Sequence, residues 1–143
     1  MKKLVFLGGT CANNNWRDGL IDELVARGVS RESLFNPVVA NWNEEAQKNE
    51  ENAKANASHF VFYLADPKQQ GNPLSYYSAV EATMALYDHP DTTVVVFDND
   101  GVEGQFLKAS KQAEKVLRKR HPNAVILGSR QEAIDWLASQ LAS

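Results

Sequence analysis

The chain has little cysteine and no long hydrophobic run. Cys11 is the one cysteine among 143 residues, which excludes an intrachain disulfide and a cysteine-rich zinc site. The longest apolar stretch, residues 92–97, is far shorter than the roughly 20 residues that a membrane-spanning helix needs. Residues 1–3 lead directly into a strand-like segment, without a targeting signal. We therefore expect a soluble, untargeted protein of the reducing cytoplasm, with no membrane partner.

The charge balance is slightly acidic, with 18 Asp and Glu against 15 Lys and Arg. A net charge of −3 argues against nucleic acid as the main partner. His59, His89 and His121 lack the mutual spacing of metal ligands, so we expect no metal and no other cofactor. A length of 143 residues with 43% hydrophobic content fits one domain over residues 1–143. These properties leave a small enzyme or a small ligand-binding domain.

Short apolar runs alternate with helical spacing along the chain, as expected for strands and helices around a parallel sheet. Strands are predicted at residues 4–7, 34–39, 59–64, 92–97 and 124–127. Pro37 interrupts the second strand and places it at a sheet edge. Intervening helices are marked by apolar residues at helical spacing: Trp16, Leu20 and Leu24; Ala46, Ala53 and Ala57; Tyr76, Val80, Met84 and Tyr87; Phe106, Ala109, Ala113 and Leu117; Ile134, Leu137 and Leu141. Ser129 and Glu132 form a capping box that opens the last helix. Five such units predict an α/β fold, a flavodoxin-like doubly wound five-stranded parallel sheet of order 2-1-3-4-5.

Ligands of such sheets bind beyond the carboxyl ends of the strands where the winding direction reverses, here between the first and third strands. In the loop after the first strand, Gly8, Gly9 and Thr10 offer backbone amides and a helix N-terminus to phosphate or sugar oxygens. A double glycine at a strand end is also compatible with a plain turn. Trp16 and Arg17 add an indole and a guanidinium suited to a hydroxylated or anionic ring compound.

Glu81 is the strongest catalytic candidate, because it follows the second loop at this switch point. The spacing Ser78-x-x-Glu81 matches a capping box, which would make Glu81 only a backbone partner. However, Pro73 and the apolar position Tyr76 predict that the helix begins before Ser78. A carboxylate inside a helix beside a ligand crevice can act as a nucleophile toward an anomeric carbon.

Glu50 is the predicted partner of Glu81, because it shares the alanine stripe of the second helix. A partly buried carboxyl group there can protonate or hold a departing nucleobase, whereas the alternative is a solvated helix face. Ser75 and Ser78 of the second loop are further predicted substrate-binding residues. Asn99 follows the fourth strand at the same rim, either as a ligand contact or as part of a plain turn.

Cys11 and Arg17 also form a Cys-x5-Arg arrangement after the first strand, as a low-molecular-weight tyrosine phosphatase places its nucleophile and its phosphate-binding arginine. Asp18 stands where such a site needs a Ser or Thr, and its carboxylate would oppose thiolate formation. The phosphatase hypothesis is therefore the weaker one.

Three motifs together resemble the nucleoside 2-deoxyribosyltransferase-like family, and the resemblance covers residues 3 to about 100. They are Phe6-Leu7-Gly8-Gly9-Thr10 with Asn15-Trp16-Arg17, then Phe35-Asn36-Pro37-Val38-Val39 with Trp42, and finally Ser78-Ala79-Val80-Glu81.

This resemblance implies a flavodoxin-like fold and cleavage of an N-glycosidic bond through a covalent glycosyl-enzyme intermediate. It implies Glu81 as the nucleophile, Glu50 as the residue that binds the nucleobase or assists its departure, and a homo-oligomer in which a neighbouring subunit completes each site. Phe6 stands where better-known members carry a Tyr, and Ser75 where they carry an acidic residue. The expected partner is a nucleoside or nucleotide, with transfer and hydrolysis both open. A non-catalytic nucleotide-binding or sensing module is the alternative, because Phe6 lacks the hydroxyl that orients the nucleophile.

Overall fold

Strands and helices alternate along the whole of the computed structural model, which describes residues 3–10, 15–39, 41–65 and 76–142. The strands are β1 (Val5–Gly9), β2 (Leu34–Phe35), β3 (His59–Ala65), β4 (Thr93–Asp98) and β5 (Val125–Leu127). The helices are α1 (Trp16–Ala26), α2 (Glu44–Asn56), α3 (Tyr76–Asp88), α4 (Gly104–Arg120) and α5 (Arg130–Leu141), and a short 3₁₀ turn covers Arg31–Ser33.

The five strands form one parallel sheet in the order β2-β1-β3-β4-β5. Val5 of β1 pairs with Leu34 on one side and with His59 on the other, so β1 lies between the edge strand and the centre. The chain thus winds outward from β1 in one direction and from β3 in the other, which is the flavodoxin-like arrangement. The predicted fold class and strand order are confirmed.

The two faces of the sheet are covered by different helices. On one face α1 and α5 pack against alternate strand residues, and their contact includes the fully buried Leu20 and Leu137. On the other face α2 and α3 cover an aromatic layer that includes Phe6, Phe60 and Phe62. Because successive strand residues point to opposite faces, Phe6 belongs to the second layer and its neighbours in β1 to the first.

Helix α3 packs with three small residues and Leu86, and most of its large side chains face outward. Its buried residues are Ser78, Ala82, Ala85 and Leu86. Small side chains bring the helix axis close to the sheet, and the opposite, predicted stripe faces outward. Tyr76 is 83% exposed, and Val80, Met84 and Tyr87 are all at least half exposed. Helix α4 likewise buries no residue completely, although Leu117 packs partly against the aromatic layer.

Several predicted boundaries differ from the structure. The second strand has only two residues instead of six, because it ends before Pro37, which lacks the amide hydrogen that a ladder needs. Its predicted edge position is confirmed. The first strand continues through Gly8 and Gly9 instead of ending at them. The Ser129 half of the predicted capping box of α5 is present: the Ser129 hydroxyl accepts the Glu132 amide at 3.3 Å and donates to the Glu132 carboxylate at 3.0 Å.

No helix in the described part of the chain combines the length and apolar character needed to span a bilayer.

Candidate functional site

The floor of the candidate site is the carboxyl end of β1, where the strand lies against β3. Gly9 has a φ of 128°, and a Cβ there would lie 2.2 Å from the backbone oxygen of Tyr63. The positive φ and the lack of room for a Cβ both require glycine at this position. A Cβ at Gly8 would meet the ring of Phe62 at 2.8 Å. Gly8 and Gly9 therefore permit tight packing of β1 against its neighbours, a role that the sequence alone did not reveal.

Thr10 continues this attachment of β1 to β3. Its backbone amide donates to the Tyr63 carbonyl at 2.9 Å, and its hydroxyl accepts the Ala65 amide at 3.0 Å. Thr10 is only 2% exposed. The hydroxyl thus holds two strand ends together beneath the site.

Arg17 is a buried clamp on the end of β1. Its guanidinium donates to the carbonyls of Leu7, Thr10 and Gly9 at 2.9, 2.9 and 3.1 Å. The guanidinium carbon also lies 4.4 Å from the ring centre of Trp16. Three carbonyls are satisfied by a side chain that is 4% exposed, so Arg17 contributes mainly to the shape of the floor.

Trp16 supports this floor from the opposite face of the sheet. Its indole stacks on the ring of Tyr63 at 4.5 Å, and its Nε1 donates to the carbonyl of Thr10 at 2.7 Å. The Tyr63 hydroxyl donates in turn to Asp98. Burial first, and then this hydrogen bond, raise the pKa of Tyr63 well above its usual range, so the phenol stays neutral.

Above the floor lies a cavity of about 290 Å³, which we call the carboxylate cavity. It is bounded by the carboxyl end of β1, the segment after β2, and the helices α2 and α3. Its lining residues are Phe6, Gly8, Gly9, Arg17, Pro37, Val38, Val39, Trp42, Glu50, Tyr77, Ser78 and Glu81. Six of the predicted site residues meet here: Gly8, Gly9, Arg17, Glu50, Ser78 and Glu81. The volume fits a small ring compound rather than a polymer.

The two predicted carboxylates reach this cavity from different helices and share one cation. Glu81 lies in the second turn of α3, so it is not a capping residue, and its side chain is 11% exposed. Glu50 lies on the inner face of α2, with a side chain that is 21% exposed. Lys54 Nζ is 2.5 Å from Glu81 Oε2 and 3.9 Å from Glu50 Oε1.

Lys54 keeps its charge in this setting. Burial lowers the pKa of Lys54, but the hydrogen bond and charge of Glu81, together with the charges of Glu50 and Tyr77, outweigh burial. The net pKa is therefore raised above its ordinary value, and the ammonium persists through neutral pH.

Three other predicted residues, Thr10, Trp16 and Asn99, lie outside this cavity. Thr10 and Trp16 do not line the cavity that holds Glu81. Asn99 lines a separate apolar cavity of about 330 Å³ between α3 and α4, where it accepts the hydroxyl of Ser110 at 2.6 Å. Ser75 and Cys11 lie outside the described residues. Because the Arg17 guanidinium is engaged by backbone carbonyls, its geometry does not favour the phosphatase hypothesis.

Sequence reasoning assigned no site role to Lys54 or Tyr77, and it quoted Val38 and Trp42 only as part of a family motif, not as a wall of the site. The signal for Lys54 was its position four residues after Glu50, which places both side chains on one helix face. Among residues 3–10, 15–39, 41–65 and 76–142, no group of three or more potential ligands could hold a metal ion.

A comparison with known families covers the part of the chain that holds this cavity. The sequence model described as nucleoside 2-deoxyribosyltransferase like matches residues 2–101. The chain belongs to this family. The predicted resemblance is thereby confirmed, and every residue that lines the carboxylate cavity lies inside the matched nucleoside 2-deoxyribosyltransferase-like region. All of α4, β5 and α5 lie beyond it. Among curated proteins, no match was found.

Proposed function

We propose that this protein cleaves the N-glycosidic bond of a nucleoside or nucleotide through a covalent glycosyl-Glu81 intermediate. Glu50 assists the departing base, and the glycosyl group passes to a second nucleobase or to water. The observation that carries the proposal is the pair of carboxylates on α2 and α3 around one cavity, in a chain of this family.

The position of Glu81 suits a nucleophile. Because it lies inside α3, its carboxylate has no orphan helix amide to satisfy and is directed into the cavity. The apolar surfaces of Phe6, Val38 and Trp42 provide a wall against which a base or sugar ring can lie. The family membership supports a nucleoside as the bound class of compound.

The first step forms a bond between Glu81 oxygen and C1′ as the C1′–N bond breaks. The bonding electron pair leaves with the nucleobase, which takes up a proton delivered from Glu50 or from water held by it. In the second step the nitrogen of an acceptor base, or a water oxygen, attacks C1′ as the bond to Glu81 breaks and the Glu81 carboxylate is restored. The attacking group gives up its proton to Glu50, or to the water held by it, which returns this group to its starting state.

The test is a panel of the four common deoxynucleosides and their 5′-monophosphates, incubated with and without adenine as acceptor and analysed by chromatography. We expect base release or base exchange that Glu81→Gln abolishes and Glu50→Gln slows by about 100-fold, as for loss of a general acid or base. Asp88→Asn on α3 and Glu51→Gln on α2 are matched controls, because both side chains are exposed. An unchanged rate in Glu81→Gln would overturn the proposal.

A non-catalytic binding module would give a different result. In that case panel compounds would raise the melting temperature without base release, and Glu81→Gln would alter only the binding. A phosphatase would release phosphate from an aryl phosphate, and Cys11→Ser would stop that reaction.

We also propose that the protein forms a homo-oligomer through α3. Tyr76, Val80, Met84 and Tyr87 expose large apolar side chains along one side of this helix. Adjacent exposed apolar groups of this kind are typical of protein interfaces. Light scattering after gel filtration should give a multiple of the 15.9 kDa chain mass, and Met84→Lys should lower it. A monomer at all concentrations would contradict the proposal.

A further inference from the structure

We propose that Lys54 is the positioning residue of the catalytic carboxylate, holding Glu81 in the orientation from which it attacks. This inference rests on the proposed function, since it assigns a role to the ion-pair partner of Glu50 and Glu81, which line the cavity. Lys54 of α2 adds a positive charge to the two carboxylates that the sequence predicted.

Lys54 is the direct partner of Glu81. Its Nζ lies 2.5 Å from Oε2, and within the described residues no other hydrogen bond or ion pair engages that carboxylate. Phe6, which lies under the same part of the cavity, has a ring without a donor. Without Lys54, rotation about the terminal bond of Glu81 would therefore be restrained only by packing.

Lys54 is itself held from several sides. Its Nζ lies 3.9 Å from Glu50 Oε1, 5.3 Å from the ring centre of Phe6 and 5.6 Å from that of Tyr77. The groups facing the ammonium are thus Glu50 from its own helix, Glu81 and Tyr77 from α3, and the Phe6 ring from β1. Because Glu50 and the two rings already restrain Lys54, its ammonium loses little further freedom when it pairs with Glu81.

The ion pair with Lys54 gives the two carboxylate oxygens of Glu81 different roles. Oε2 accepts the ammonium hydrogen bond, which leaves Oε1 available to attack C1′. Formation of the glycosyl ester removes the negative charge of Glu81, and its breakdown restores that charge beside the ammonium. Lys54 thus orients the carboxylate in the first step and stabilises it as the leaving group in the second.

The first experiment measures the pairing without any substrate. The side-chain resonance of Lys54 is followed by pH titration in NMR spectra, and it is assigned by its absence in Lys54→Arg. We expect the pKa of Lys54 to fall in Glu81→Gln, and to fall less in Glu50→Gln, because Glu81 is the closer partner. A Lys54 pKa that is the same in Glu81→Gln and in the unaltered protein would overturn the pairing.

The second experiment measures turnover with the active member of the deoxynucleoside panel. Lys54→Met retains the length of the side chain without its charge, and we expect it to lower kcat by about 100-fold with little change in KM, as for a misplaced reacting group. Lys54→Arg should restore part of the loss. Lys48→Met, at an exposed position of the same helix, is the control and should behave as the unaltered protein.

The outcomes separate the two proposals. Loss of activity in Glu81→Gln together with full kcat in Lys54→Met would overturn the positioning role and leave the proposed function standing. Full activity in Glu81→Gln would overturn the proposed function, whatever Lys54→Met does. Thermal melting of each variant identifies a loss of folding, and the titration still decides the pairing if Lys54→Met fails to fold.

Discussion

Replacement of Arg17 by Met should destabilise the protein strongly, even though this residue resembles a ligand-binding arginine in the sequence. The guanidinium donates to three carbonyls at the end of β1 and is 4% exposed. Hydrogen bonds from a charged donor contribute about 1.5 kcal/mol each at the low end. Loss of all three would therefore cost about 4 kcal/mol, a large part of the roughly 5–15 kcal/mol that typically stabilises a protein.

Urea denaturation followed by tryptophan fluorescence measures this cost. With a slope of about 2 kcal/mol per M, the Arg17→Met midpoint should fall by about 2 M relative to the unaltered protein. Arg31→Met, on an exposed turn, is the control and should change stability by less than about 0.5 kcal/mol. If both variants unfold at the same midpoint, the β1 carbonyls do not depend on Arg17 and the clamp is refuted.

Three further predictions concern the surrounding framework. Burial and the charge of Lys3 lower the pKa of His59 below 6.5, although a hydrogen bond with Gln140 acts to raise this pKa. Folding therefore favours the neutral ring. The free energy of unfolding should thus fall as the pH drops below about 6.5, and less so in His59→Asn. Leu86→Ala should cost about 3 kcal/mol in urea denaturation, because Leu86 lies on α3 and is fully buried in the aromatic layer. Asn43→Ala should cost about 1 kcal/mol in thermal melting, because the Asn43 side chain accepts the Ala46 amide at 2.8 Å as the cap of α2.

Each of these predictions has its own control or contradiction. An equal acid-dependent loss in His59→Asn and the unaltered protein would show that another group is responsible. Met84→Ala on the exposed side of α3 should cost much less than Leu86→Ala, and equal costs would contradict the packing described for this helix. Asn49→Ala, at an exposed position within α2, should not reproduce the effect of Asn43→Ala.

The fold was predictable because its strands are continuous apolar runs, which are typical of parallel strands buried on both faces and not of exposed segments. The run that became β4 is fully buried from Thr93 to Val96, as its composition indicated. Orientation of α3 was not predictable, because Tyr76 and Met84 have the same spacing as an inward stripe. The choice between faces depends on how closely the helix approaches the sheet, and Ala82 and Ala85 permit the closer approach.

The structure brings the two predicted carboxylates to one cavity, and their catalytic role stays a prediction, whereas the sequence did not indicate what surrounds them. Glu50 and Glu81 stood out because each lay at an inward or loop-proximal helix position. Lys54 looked like one more charge on a polar helix. Its spacing from Glu50 could have indicated the pairing of those two side chains, but the contact with Glu81 of α3 is visible only in the tertiary structure. Arg17 looked available for ligand because the sequence cannot show that its donors are engaged by carbonyls of β1.

The contrast between the floor and the wall of the carboxylate cavity has a consequence for how this protein can diversify. Gly9 tolerates no side chain, so drift in the floor would cost the fold before it altered ligand choice. Val38, Val39 and Trp42 are about half exposed and belong to no strand or helix. Changes in this wall can therefore accumulate while Glu50 and Glu81 on α2 and α3 stay untouched, which makes Val38, Val39 and Trp42 the natural positions for a library that seeks altered ligand binding.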